Sequence, residues 1–245
     1  YSTNVGKDIG ASIAEQASTV MEQAVTDLSE YSGNELDESD IMDLNYRYDD
    51  NLIVIYEQLA KENADNDTVA SGYYSMAIGY CEDYIGILKM KVDEDDSITL
   101  GGTSVNAYNQ SYYNKMMTEA RCYDAQGKMD DALAVYEEAE KVFGTENEWS
   151  DNVYAEHLDY LYRLCEAKEQ DPRLWPAKIP DLTRQLVQVY DNGANVSGID
   201  SNKTWYKRKD TLQMLKDGNY DAVEEEGTQT PDETSEDAQS AEMGE

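Results

Sequence analysis

One histidine, His157, stands in the whole chain, so Ser-His-Asp or Cys-His chemistry would have to pass through it. Its setting, EHLDY, reads as an ordinary helix surface or edge with no nucleophile at a fixed spacing. Cys81, Cys122 and Cys165 sit in GYCEDY, ARCYDA and YRLCEA, each beside apolar or aromatic residues. They form no CxxC pair, and their odd number leaves at least one thiol free. They therefore read as small buried apolar side chains rather than as metal ligands, nucleophiles or a disulfide framework. The stretch DEDDSITLGG offers oxygen ligands, but Ile98 stands where the turn of an EF-hand loop needs glycine, and no glutamate arrives at the last ligand position. No glycine-rich loop leads into a lysine-bearing helix that could cradle phosphate. The expectation is no catalytic residue, no metal site and no cofactor; the chain is not read as an enzyme.

Charge narrows the class further. Asp and Glu number 52 against 19 Lys and Arg, a formal net charge of −33 over 245 residues. Such a surface repels nucleic-acid backbones and anionic lipid. No run of about 18 apolar residues is present, so direct membrane insertion is not expected. The opening YSTNVGKDIG has neither an initiator Met nor a signal-peptide pattern, which reads as a piece of a longer protein. Twenty tyrosines against one phenylalanine suit thin cores whose edges stay wet, because the ring fills a core while its hydroxyl seeks water or a partner. The same excess would also suit a platform for carbohydrate or peptide.

The elements that must position these residues are helical. Ile9, Ile13, Val20, Met21, Ala24 and Leu28 share one stripe, and Ile41, Leu44, Leu52, Ile55 and Leu59 another. YSGNELDESD, with Asp and Ser as candidate caps, and NADND at 63–67 separate the first three helices. The acidic, glycine-bearing segment 92–105 reads as the longest interior loop, after N-terminal helices over 1–91. Further helical pairs over 148–223, centred on 148–168, 178–191 and 202–217, are punctuated by Pro172, Pro176, Pro180, Gly193 and Gly198. Residues 224–245 contain no Lys, Arg, aromatic, Leu, Ile or Val, and read as a disordered acidic tail behind a 1–223 domain.

The most specific signal lies in 113–146. Ala120, Tyr123, Gly127, Ala132, Tyr136 and Ala139 follow the spacing small-x2-aromatic-x3-Gly-x4-Ala-x3-aromatic-x2-Ala, which resembles the tetratricopeptide repeat. Small residues let two antiparallel helices approach, glycine supplies the turn, and the aromatics fill the wedge around the contact. The family's large aromatic, its Leu and its closing Pro are replaced or missing here. Cys81-x2-Tyr84 overlays Ala120-x2-Tyr123 at a shift of 39 residues, and Leu52-x3-Tyr56-x2-Leu59 imitates the second-helix spacing. The resemblance implies an all-α, tetratricopeptide-like helical-repeat solenoid of about seven to eight helices. It also implies a concave groove lined by first helices, in which Asn114, Met117, Arg121 and Asp124 would face a ligand.

The implied function is a non-enzymatic module that binds a protein or peptide, neutral to basic given the chain's charge. The layout is similar to the extracytoplasmic repeat region of some bacterial membrane serine/threonine kinases, which would make the module a sensing or docking part attached to a membrane. A cytoplasmic scaffold or co-chaperone adaptor, and a tyrosine-rich binding protein for sugars or cationic small ligands, are the alternatives.

Overall fold

Capping residues decide where the first helices begin. The computed structural model describes residues 3–33, 35–93, 97–100, 103–106 and 108–218. Helix α1 (Thr3–Ser29) gives way to α2 (Glu38–Glu62) at Asp37. There the Asp40 N–H donates to Asp37 Oδ1 at 2.9 Å and the Asp37 N–H donates to Asp40 Oδ2 at 3.2 Å, a reciprocal capping box. Asn66 accepts from the Val69 N–H at 3.3 Å and opens α3 (Asp67–Asp93).

The segment expected to be a loop contains a hairpin instead. Strands β1 (Ser97–Leu100) and β2 (Thr103–Asn106) pair antiparallel, with Ile98 opposite Val105 and Leu100 opposite Thr103. Both strands carry β-branched residues and flank Gly101-Gly102, a favoured hairpin dipeptide. Four-residue strands are too short to show as alternation.

Six helices follow: α4 (Asn109–Ala125), α5 (Met129–Phe143), α6 (Ser150–Lys168), the one-turn α7 (Trp175–Lys178), α8 (Pro180–Gly193) and α9 (Lys203–Asp217). Pro180 starts α8, where its missing N–H costs nothing. Apart from the hairpin and connecting turns, the described residues are helical. The expected tail, 224–245, lies outside them.

Packing proceeds from each helix to the next through α6, which then takes both α8 and α9 against itself. Three apolar clusters result. One joins α2 to α6 through Ile53, Cys81, Met116, Ala120, Ala132, Phe143 and Val153. A second joins α6 to α9 through Leu158, Cys165, Trp175, Leu186 and Trp205. The third joins α2, α3 and α4 through Leu52, Tyr56, Leu59, Ala77 and Cys122, with Ala14, Met21 and Val25 of α1 against it.

The stripe assigned to α1 from sequence is buried only in part. Its Met21 packs against the third cluster together with Ala14 and Val25, whereas Ile13 and Val20, each about 100° from Ala14 and Met21, are 62% and 70% exposed.

Tyrosine hydroxyls close the rims of these clusters. Tyr73 donates to Glu15 Oε1 at 2.9 Å, and Tyr56 and Tyr80 both donate to Glu22 Oε1, at 2.5 and 3.2 Å. Tyr160 donates to Asp124 Oδ1 at 3.0 Å.

Gly193, which the sequence marks only as punctuation, is a close contact. A Cβ there would stand 2.5 Å from Trp205 Cη2 and 3.1 Å from Tyr154 Cδ1. Trp205 is buried and stacked on Tyr190 at 5.0 Å, so it cannot swing away. Gly193→Ala is expected to lower unfolding free energy by roughly 1–3 kcal/mol in urea titration, despite the better helix propensity of alanine.

Asp49 of α2 is 4% exposed. Burial first, and then the charge of Asp83 on α3, push its carboxyl up to about 7, and Tyr80 of α3 also senses its charge. The folded-state value lies above the unfolded one, so the stability tied to this proton is complete below the ordinary carboxylate range and is lost as pH rises through about 7. Urea titrations from about pH 5 to about pH 8 are expected to show Asp49→Asn with the flatter dependence and the greater stability at the upper end.

Candidate functional site

The α4–α5 unit is built around its turn. Gly127 has φ 71°, in the left-handed region. That geometry lets the Lys128 N–H donate to the Tyr123 carbonyl at 3.0 Å and the Gly127 N–H to the Asp124 carbonyl at 2.8 Å, the paired bonds of a Schellman motif. Across the turn Ala120, Ala132 and Ala139 are 1%, 0% and 0% exposed, so the two helices meet with methyl groups between them. Tyr136 is buried, and its ring stacks on Tyr160 at 5.2 Å and on His157 at 5.3 Å. Tyr123 is half-buried and touches two of the three clusters at once.

Of the residues expected to face a ligand, Asn114 and Arg121 are exposed and Asp124 is half-buried. Met117 is not available: it is 3% exposed and belongs to the same cluster as Ile53 of α2 and Tyr160 of α6. The four share a helical face, but Met117 alone among them is drawn into the cluster that α2 and α6 also enter. This is a correction that spacing on α4 alone could not supply.

Around these residues runs a strip of charge and tyrosine rings. Lys115 of α4 pairs with Asp50 of α2 and lies 5.0 Å from the centroid of Tyr84. Arg163 of α6 reaches Asp159 at 3.3 Å and Asp124 at 4.0 Å. Arg208 of α9 reaches Asp159 at 3.1 Å while covering the Tyr162 ring at 3.8 Å. Arg121 donates to Thr118 Oγ1 at 2.8 Å, makes no ion pair among the described residues, and acts on the charge of Glu156 of α6. The strip presents hydrogen-bonding groups of both kinds and one cation, Arg121, that a ligand could engage without displacing a protein carboxylate.

His157 is not at a surface, as its sequence setting suggests. It is 4% exposed, and its Nδ1 lies 2.6 Å from Glu140 Oε1, the ring donating to the carboxylate. A position on α6 facing α5 buries it, and Glu140 satisfies the nitrogen that burial removes from water. The three cysteines are buried and free. Burial, ahead of nearby carboxylates, raises the Cys122 and Cys165 thiols to about 12 and pushes Cys81 higher still, so none is poised as a nucleophile near neutral pH. Among the described residues no three His, Cys, Asp or Glu side chains gather as a metal-binding group, and no helix is long and apolar enough to cross a membrane.

The chain matches no protein-family model, no curated protein and no solved structure.

Gly127 gives the unit a direct test. Gly127→Ala forces a Cβ into the left-handed region and is expected to cost about 1–2 kcal/mol of stability, whereas Gly127→Asn is expected to cost less. Thermal melts followed by circular dichroism will rank the two variants.

Proposed function

We propose that this chain is a non-enzymatic docking module of tetratricopeptide type, whose helices stack in two rows and whose even row presents a binding face to a protein or peptide. The observation that carries the reading is a pattern of side-chain links that skip one helix. Asp50 to Lys115 joins α2 to α4, Tyr160 to Asp124 joins α4 to α6, and, the one-turn α7 not counted, Arg208 to Asp159 joins α6 to α9 past α8. Tyr73 and Tyr80 join α3 to α1. Alternating neighbours of this kind are what a helical-repeat solenoid requires, and with the Gly127 turn and the alanine contact they support the family reading.

In this arrangement α2, not α3, stands in the row of α4. The overlay of Cys81 and Tyr84 on Ala120 and Tyr123 then pairs helices of opposite rows, and the shared spacing reflects burial against neighbours rather than equivalent places in a repeat. The binding face is the open part of the even row, with Asn114, Arg121 and Asp124 on α4 beside Glu156 and Arg163 on α6. The partner is neutral to basic, because the chain's charge of −33 hastens the approach of cations and slows that of anions. A docking or sensing role outside a bacterial membrane, attached to a kinase-like protein, is the setting proposed for it.

Selection of a random peptide library on the purified chain tests the reading. Enriched peptides are expected to bind less well as salt rises, and to change about tenfold or more in affinity on Arg121→Glu. Peptides that bind equally well to Arg121→Glu would move recognition away from this row. Failure to enrich any peptide would remove the peptide-binding reading.

A further inference from the structure

Helices α3 and α5 lie on either side of α4 and leave a slot between them, a cavity of about 390 Å³. This is near the small end of the ~300–1,000 Å³ range of ligand pockets, room for a side chain rather than a folded surface. Ile85, Met116 and Val135 form its buried apolar floor. Glu82, Glu119, Asp131 and Glu138 line it higher up, with Lys89 and the half-buried ring of Tyr123 beside them.

The wall also contains Gly86, in the interior of α3. Glycine there weakens the helix, yet no crowding demands it: a Cβ built at Gly86 meets nothing within 4 Å. Its effect is to keep the slot open. Glu119 makes no hydrogen bond or ion pair among the described residues, and its half-buried carboxylate stands above the apolar floor.

We propose that this slot receives one long basic side chain, lysine or arginine, from a bound peptide, its methylene stem on Ile85, Met116 and Val135 and its cationic head among the carboxylates of Glu82, Glu119, Asp131 and Glu138. Such side chains are apolar for most of their length and charged at the tip, and the slot is graded in the same order. A neutral apolar ligand would leave the four carboxylates with Lys89 alone as counter-charge, and an inorganic cation would leave the floor uncovered. The state of Glu119 fits this occupant. Burial, and then Glu82, push its carboxyl up to about 7, with Lys89 opposing, so an arriving cation displaces a proton there. Binding therefore strengthens as pH rises from about 6 to about 8.

The inference rests on the peptide-binding reading but concerns a different face, and the test keeps the two apart. The probe is a short, end-capped Gly-Ser peptide with one central arginine, titrated into isotopically labelled full chain by NMR, with the citrulline peptide as its uncharged counterpart. The arginine peptide is expected to shift the amides of α3 and α5 around Gly86 and Val135, and the citrulline peptide to bind about tenfold more weakly or not at all. Gly86→Leu fills the slot on a helix it strengthens, so the variant is expected to melt no lower than the parent while losing about tenfold or more in affinity. Glu119→Gln should weaken binding and flatten its pH dependence, and Arg121→Glu should leave it unchanged. Binding that survives Gly86→Leu, or that falls equally with the remote Asp200→Asn, would reduce the slot to general acidic attraction and overturn the proposal. Absence of any shift would overturn it too, while library-selected peptides sensitive to Arg121→Glu would still stand for the other face.

Discussion

Tyrosine hydroxyls that end on carboxylates from a helix two places away hold this fold at its rims. Tyr73 and Tyr80 reach Glu15 and Glu22, and Tyr160 reaches Asp124. A core only a helix or two deep has no site far from water, and phenylalanine would leave the rim unfastened, while tyrosine fills the interior and donates a hydrogen bond at its margin. Tyr56 shows the cost to the proton: burial, and then its bond to Glu22, raise it to about 12, so the donor never ionises in ordinary conditions. Tyr56, Tyr73, Tyr80 and Tyr160 and the carboxylates they reach are therefore two halves of one arrangement.

The acid excess carries a penalty, and the few bases are placed against it. Lys115, Arg163 and Arg208 each bridge helices or cover a tyrosine ring as well as pairing with a carboxylate. Such pairs at half-exposed sites are individually worth little, and their value here is to orient neighbouring helices. Where burial outweighs any nearby base, a carboxyl holds its proton instead. Asp49 against Asp83 and Glu119 against Glu82 are both raised to about 7. The chain thus mixes carboxylates that accept from tyrosine, carboxylates paired with base, and carboxyls that burial pushes up toward neutral pH.

What could be read from the residues depended on whether one element contained the whole cause. The turn at Gly127 and the small residues at 120, 132 and 139 were legible because spacing within a helical hairpin dictates them. Asp37 was legible as a cap for the same reason. The face of α1 was not, since Ile13 and Val20 are as apolar as Met21 and only the position of α2 chooses between them. Met117 and His157 were misread alike: each lies on a helix face that looks open until the neighbouring helix is in place. The contact of Gly193 with Trp205, and the slot that Gly86 keeps open, join residues from separate helices, so no local pattern announces either.

The cysteines are distributed in a way that has its own consequence. Cys81 lies in the cluster joining α2 to α6, Cys165 in that joining α6 to α9, and Cys122 in that joining α2, α3 and α4. Each is 0% exposed, and none can be alkylated without its surroundings parting. The chain therefore has a chemical clock in every section of its interior. Mass spectrometry of a slow alkylation time course would separate a molecule that breathes from one end from one that opens all at once, with no substitution introduced beforehand.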